Sequence, residues 1–513
     1  MNSIVNSTSE SKVPTTSTTT VPSIQGYVMI SRRSNSSNQS DENDVTNNES
    51  LAAIERGYTT ALLRSLQFGG TKFIRYLTVD PYNNIRSKAV PIDTLLKRNV
   101  SSLDQQVSVA EVCYGGLPSY ADVMQEGTGI DARKVLALNV DPGSIRVLPY
   151  APKTAVVMAD LQDQFTKESS PLCTRSLLRR VIEGAATRHD IAFNVGAELE
   201  FCLVKKKSSS DVVFADQSVF ANTVTLNDNE EFIDQLYTQL QRQHIPIELI
   251  HAESGPGQLE VVLEYSEDPI VLCDNIVLAK ETVQAVAKQF GYNALFLPKY
   301  DTTKAGNGLH IHVSTRQTST GKPNFSKGGV GNTGFTTSSS DALTEQGSSF
   351  IEGVLQHLPA IMGLSLPTTN SHRRVGKGCW TGSLVGWALE DKECAIRVCS
   401  NLKSNEWGHV ECKLFDSTAN PYLAVAALLL GGLSGIERKA ILRPSLHDPE
   451  YHESTPLPTT VEEALDALES DPVLTSAMGK KLTRAYLTIR RHEAERASKM
   501  TIDEEVFEAL QRC

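Results

Sequence analysis

The chain has no apolar run long enough to cross a bilayer; the longest, near Ala424 to Leu430, is expected to stop at Gly431 and Gly432. It has no basic region followed by an apolar core at its start, and too little arginine there for a mitochondrial presequence, so a cytoplasmic location is expected. Its nine cysteines are odd in number and show no CxxC spacing. That excludes a disulfide framework and a zinc-finger-type site, and points to reduced thiols. Positive charge is also short: a net charge of −11 and a pI near 5.6 argue against general nucleic-acid or membrane-surface binding. No phosphate loop of the Walker kind occurs (GKPNF at Gly321–Phe325 is not one), and no internal repeat stands out.

What remains is an ordinary globular composition, 40% hydrophobic and 21% charged, on 513 residues, enough for two or more domains with real cores. Residues 1–50 are rich in Ser, Thr and Asn and read as a disordered tail. A helix is expected from Leu51 to Leu66. KFIRYLTV and IRSKAV, separated by Asp80-Pro81 and Asn83-Asn84, then predict a hairpin opening a β-rich N-terminal domain that closes at 155. The stretch from Ser101 to Arg133 reads as loop.

From 156 to 513 longer elements alternate. Helical spacing covers Thr174 to His189, and AFNVGAELEFCLV reads as a strand. Asp268-Pro269 starts a helix that Gly291 ends; Asn420-Pro421 starts another; Thr460 with Glu463 forms a capping box. ALFLPKY and GLHIHVS read as strands, Phe350 to Leu364 as a helix. The Gly/Ser/Thr-rich segment 315–346 reads as a flexible insertion.

The chemistry gathers around ESGPGQLE, Glu253 to Glu260, where a Gly/Pro turn brings two glutamates together. Such pairs are most often solvated loop charges, so the meaning lies in what joins them. Strand alternation points Glu198 and Glu200 of GAELEF one way, and His310 and His312 of LHIHVS likewise. Glu411 makes a fifth carboxylate. Flanks such as Phe201, Val261 and Ile311 look buried, and buried carboxylates require partners. Oxygen-rich ligation with imidazole suits Mg²⁺ or Mn²⁺ better than Zn²⁺, and such sites usually hold phosphates. Arg373, Arg374, Lys377, Lys392, Arg397 and Lys413, interleaved with Trp380, Trp387 and cysteines, offer a phosphate-facing pocket.

Five ordered motifs (GAELEF, the 253–260 turn, AGNGLHIHVS, NSHRRV, and ECAIRV followed by DSTANPYLAVAALLLGGLSGI) resemble the glutamine synthetase superfamily. The GKGCWTGSLVGW version is similar to its FluG/nodulin-type branch. The resemblance implies an α+β fold: a β-grasp-like N-terminal domain over 51–155 and a catalytic domain over 156–513 with a curved antiparallel sheet and helices. It implies ATP as co-substrate, glutamate and an amine as partners, a γ-glutamyl phosphate, and a ring-type homo-oligomer with active sites between subunits. By matching position, Glu200, Glu253 and Glu260 hold one cation, and Glu198, His310 and Glu411 the second. Gly306, His312 and Ser314 lie near substrate and nucleotide, Arg374 holds the substrate carboxylate, and Arg397 contacts phosphate.

Several positions depart from the pattern. Trp380 stands where the family carries an acidic residue for ammonium. Lys392, His409 and Lys413 replace arginines, keeping positive charge without the bidentate fork. Ala305 replaces an asparagine, and Asp122 is the candidate for an ammonium-binding aspartate. The expectation is therefore a glutamate–amine ligase whose acceptor is ammonia or a larger, less polar amine. A catalytically weak scaffold and a fold-related guanidino phosphotransferase are the alternatives, the HxH and paired glutamates weighing against the latter.

Overall fold

Local sequence chemistry places most elements in the computed structural model, which describes residues 44–206, 212–217, 219–327, 343–401, 406–452 and 455–511. A helix, Asp44–Phe68, leads in; most of the expected tail lies outside the described residues, but the helix takes in 44–50. Strands β1 (Phe73–Val79) and β2 (Ile85–Pro91) form the expected hairpin. Asp80 ties its turn: the buried carboxylate accepts from the Tyr82 and Asn84 amides (3.0 and 2.9 Å) and pairs with Arg86 at 2.8 Å. The loop-like stretch holds the short β3 (Ser108–Ala110), followed by β4 (Val135–Val140), β5 (Arg146–Val147) and β6 (Thr154–Asp163). The sheet order is β2-β1-β6-β4-β3, with β5 on β6, and β1 and β6 run parallel. Strand β6 carries this sheet past residue 155 to Asp163, because it pairs with β1, far back in the chain, and with β4.

The second sheet begins with β7 (Ile191–Lys206), β8 (Val212–Phe214), β9 (Ile247–Ala252) and β10 (Gln258–Ser266). It continues with β11 (Asn293–Leu295), β12 (Leu309–Gln317), β13 (Trp387–Leu389), β14 (Ile396–Asn401) and β15 (Glu406–Cys412). Its order, β13-β14-β15-β12-β7-β10-β9, is antiparallel except for the β13–β14 edge pair. ALFLPKY pairs only over Asn293–Leu295, since the buried Asn307 amide takes the Leu295 and Leu297 carbonyls and turns the chain. The 315–346 segment is partly ordered at its ends: β12 runs to Gln317, Ser326 bridges Leu343, and a helix starts at Glu345; residues 328–342 lie outside the description.

Helices Thr174–His189 and Pro269–Gln289 pack on this sheet, and Pro421–Arg438 packs against both of them and against Glu345–Ser365. The caps follow sequence: Asp268 accepts from Ile270 N (2.8 Å), Asn420 from Leu423 N (2.9 Å), each before a proline. Thr460 caps Glu463 N, but the Glu463 carboxylate returns to Thr459 N at 2.8 Å, one residue earlier than a capping box requires. The Pro421 helix runs on past Gly431 and Gly432, which end only the apolar run. Both sit inside the helix, where it crosses Glu345–Ser365 so closely that a Cβ on Gly435 would meet the Ser349 carbonyl and Gly353 backbone.

One buried ion network joins the layers. Arg175, 4% exposed, grips Asp274 through two bonds (3.0 and 2.9 Å) and reaches Asp141 (2.7 Å) and Asp160 (3.2 Å) beside the N-terminal sheet. Tyr422 donates to Asp274 at 2.6 Å.

Candidate active site

Alternation puts Glu198 and Glu200 on one face of β7, and register assembles the rest. His310 stands opposite Glu198, Glu260 opposite Glu200, and Glu411 opposite both His312 and Arg397 on its two neighbouring strands. The turn after β9 adds Glu253. Its Gly257 has φ 57°, and a Cβ there would press on the Leu203 carbonyl, so the tight reversal depends on glycine. Gln258 then fixes the floor, its amide donating to Glu200, the Gly306 carbonyl and Asn307, each at 3.0 Å.

These residues line one cleft of about 1050 Å³. Around it stand Glu198, Glu200, Glu253, Glu260, Gly306, His310, His312, Ser314, Arg374, Trp380, Lys392, Arg397, Glu411 and Lys413. Asp122 does not reach it; it is exposed on the loop before β4. Arg373 turns away to Glu505 (3.2 Å), Lys377 is exposed, and Trp387 is core, its indole N–H donating to the Arg443 carbonyl at 2.9 Å. The phosphate-facing set expected from sequence thus reduces to Arg374, Lys392, Arg397 and Lys413. Sequence reading missed His251, which stands opposite Glu260 on β9 and reaches it at 3.1 Å; the alternating HAE preceding the turn was the available signal. Tyr265 and Cys399 also line the cleft and carry no motif.

Charge is arranged in opposition. His310 Nδ1 lies 2.9 Å from Glu198 and 3.4 Å from Glu411, and its Nε2 3.5 Å from Glu200. Glu411, 1% exposed, faces Arg397 at 2.8 Å and Lys413 at 3.3 Å. Arg374 is held rigid by the Lys413 and Phe415 carbonyls (3.2 and 2.9 Å). Burial pushes Glu200 up to about 7, helped by the charge of Glu253, and burial likewise takes Glu260 to about 7. Burial also acts upward on Glu198, yet bonds from His310 and His312 outweigh it and hold Glu198 well below the usual range. Burial opposes charge on Glu411 too, and the Lys413, His310 and His312 charges bring it down. His251 is raised to about 9, first by its bond to Glu260. His409 goes the other way: burial, then the nearby His312, push it down to about 3, so the positive charge expected in place of an arginine is absent.

The donors fit hard cations. Glu198, His310 and Glu411 form one set whose ligand atoms lie within 4.8 Å of one another; Glu200, Glu260 and His310 form another, and His251, Glu253 and Glu260 a third. Glu411 Oε2 is buried without a hydrogen bond, because the nearby Arg397 Nε–H points to Cys399 Sγ at 3.1 Å. Clustered carboxylates of this kind, two of them with ionisation suppressed, are stabilised by a divalent ion with several oxygen ligands.

Fold and cleft together define an α+β protein of glutamine-synthetase architecture. A crystal structure titled as a novel glutamine synthase homolog superposes with a TM-score of 0.73 over 86% of this chain and 98% of that one at 24% identity, and a GmaS/ADP complex with 0.70 over 88% and 99%, also at 24%. The profile described as glutamine synthetase, catalytic domain matches residues 171–508, so the chain belongs to the glutamine synthetase family of carbon–nitrogen ligases. Among curated relatives, it is 28% identical to Type-1 glutamine synthetase 1 of Dictyostelium discoideum over 86% of this chain and 89% of that one. It is 31% identical to Gamma-glutamylpolyamine synthetase GlnA3 of Streptomyces coelicolor over 65% and 72%.

Proposed function

We propose that the protein is an ATP- and Mg²⁺- or Mn²⁺-dependent ligase that joins the γ-carboxylate of glutamate to an amine larger or less polar than ammonia. The observation that carries this reading is the convergence, in one cleft, of five carboxylates and two histidines with Arg374, Arg397 and Lys413. Two hard cations would be held, one by Glu200, Glu253 and Glu260 and the second by Glu198, His310 and Glu411, and would neutralise phosphate oxygens. Arg374, fixed by two carbonyls, orients the substrate carboxylate, with the Gly306 backbone beside it. Arg397 and Lys413, which face Glu411, stabilise charge on the transferring phosphoryl group, while His312, Ser314 and Lys392 line the nucleotide and substrate side.

The carboxylate oxygen takes the γ-phosphoryl of ATP and ADP leaves. The amine nitrogen then attacks the acyl carbon, phosphate departs, and the amine gives up a proton. Trp380, 51% exposed at the rim with a left-handed backbone (φ 59°), offers an indole where the family carries a carboxylate. Phe220 lines the same cleft, with the Lys392 ammonium 5.6 Å over its ring, which leaves the indole of Trp380 as an aromatic face for an amine. The polyamine-ligase name of one relative agrees with a larger acceptor. A catalytically weak scaffold is the alternative, favoured by Trp380 and by Lys392, His409 and Lys413 standing where the resemblance places arginines.

No described helix is long and apolar enough to cross a membrane, and all eight cysteines among the described residues are free thiols, which supports a cytoplasmic location. A ring homo-oligomer with shared sites, and no nucleic-acid partner, completes the reading. Glu260→Ala tests it: cation-dependent ATP turnover is expected to vanish while assembly persists, and unchanged turnover would remove this cation site from the reaction.

A further inference from the structure

One row further along the same strands, a second donor set converges. His409 of β15 stands directly opposite Cys399 of β14, and His312 of β12 shares the face of His310 while pairing with Glu411, two residues along β15 from His409. The His312 and His409 rings lie 5.0 Å apart between centroids. One ligand atom from each of His312, Cys399 and His409 falls within 4.8 Å of the others. All three residues open onto the cleft.

The pocket they form contains an unsatisfied imidazole. His312 is 6% exposed, and its Nδ1 has no hydrogen-bond partner. Its Nε2 does lie 3.0 Å from Glu198, the arrangement in which a carboxylate orients a ligating histidine. Cys399 is 4% exposed, and its sulfur, which receives the Arg397 Nε–H at 3.1 Å, faces the same pocket. Arg397 is in turn neutralised by Glu411 at 2.8 Å, so it does not bar a cation.

Two imidazoles and a thiolate are the wrong donors for Mg²⁺ and the right ones for zinc. Zinc–nitrogen and zinc–sulfur bonds near 2.1 and 2.3 Å place tetrahedral donors roughly 3.5 Å apart, so small side-chain rotations close the set. We propose that His312, Cys399 and His409 form a separate cation site, selective for a thiophilic divalent ion of the zinc class, with its fourth position open to the cleft. The three donors come from three strands, which is why cysteine spacing along the chain conceals the site. Zinc held there engages His312 beside Glu198, and so inhibits turnover. That consequence rests on the ligase reading; the binding does not.

The test uses the full-length protein, stripped of metal and held in saturating Mg²⁺, with Co²⁺ as the probe. One cobalt per chain is expected to give a thiolate-to-cobalt charge-transfer band in the near ultraviolet. The band should vanish in Cys399→Ser, and cobalt affinity should fall at least about tenfold in His409→Asn. Should Cys399→Ser fail to assemble, alkylation of the unaltered protein decides: zinc should protect Cys399 while Mg²⁺ does not. Absence of the band, its survival in Cys399→Ser, or equal alkylation of Cys399 with and without zinc would overturn the site. Zinc binding without inhibition would leave the site standing and count against the ligase reading of His312.

Discussion

Stripping divalent cations should destabilise the protein at pH 8 far more than at pH 5.5, and Glu200 and Glu260 set the size of the effect. They face each other across β7 and β10, both buried, and burial carries each from an ordinary 4.5 up to about 7 in the cation-free protein. The sign follows from linkage. A carboxyl with a raised folded pKa keeps its proton where the unfolded chain has lost it, so its contribution is most favourable below pH 4.5 and is lost as pH rises through 7. At about 1.4 kcal/mol per pH unit, that interval makes ionising either buried carboxyl in the cation-free protein cost about 3 kcal/mol; the two are neighbours that titrate together, so the figure is read for the pair. A divalent cation binds the ionised form and removes the cost. At pH 5.5 it must first displace a proton, which weakens binding by about 30-fold. Thermal unfolding of chelator-treated protein, titrated with Mg²⁺ at both pH values, reads this directly. The expected result is a Tm rise at pH 8 that needs about 30-fold more Mg²⁺ at pH 5.5. Equal affinity at both pH values would refute the reasoning, as would a pH dependence left unchanged when Glu200 and Glu260 are both replaced by Gln.

Asp274→Asn should destabilise by about 3 kcal/mol, because it removes the two-bond partner of a buried Arg175, and the urea midpoint measures it. Gly435→Ala should cost about 1–3 kcal/mol by forcing apart the helices that cross at Ser349 and Gly353, seen as a lower Tm with the same assembly state. Trp380→Glu should raise the use of ammonia relative to bulkier amines; unchanged relative kcat/KM values would make Trp380 structural.

Where structure is written locally, sequence displayed it. Asp268-Pro269 and Asn420-Pro421 start helices because an acceptor side chain and a proline are enough to fix a first turn. The carboxylate and HxH strands were legible for the same reason, since alternation alone assigns a face. Elements that depend on distant pairing were not. The end of the N-terminal sheet at Asp163 is set by antiparallel pairing with Leu136–Val140, and the shortness of β11 by the single Asn307 amide. Gly431 and Gly432 end the apolar run, but their place in a helix contact shows only with the crossing helix. Among cleft residues, His251 and Cys399 escaped because their meaning comes from cross-strand register, and His409, legible as an arginine replacement, lost its expected charge to burial.

Phosphate release by the purified protein with Mg²⁺, ATP and glutamate, against ammonia and a panel of amines, tests the central claim most directly. Release that requires glutamate and favours an amine bulkier than ammonia is the predicted result. Release with ammonia matching or exceeding every other amine would contradict the role given to Trp380. No release across the panel, with nucleotide still bound, would contradict the ligase itself and leave the scaffold.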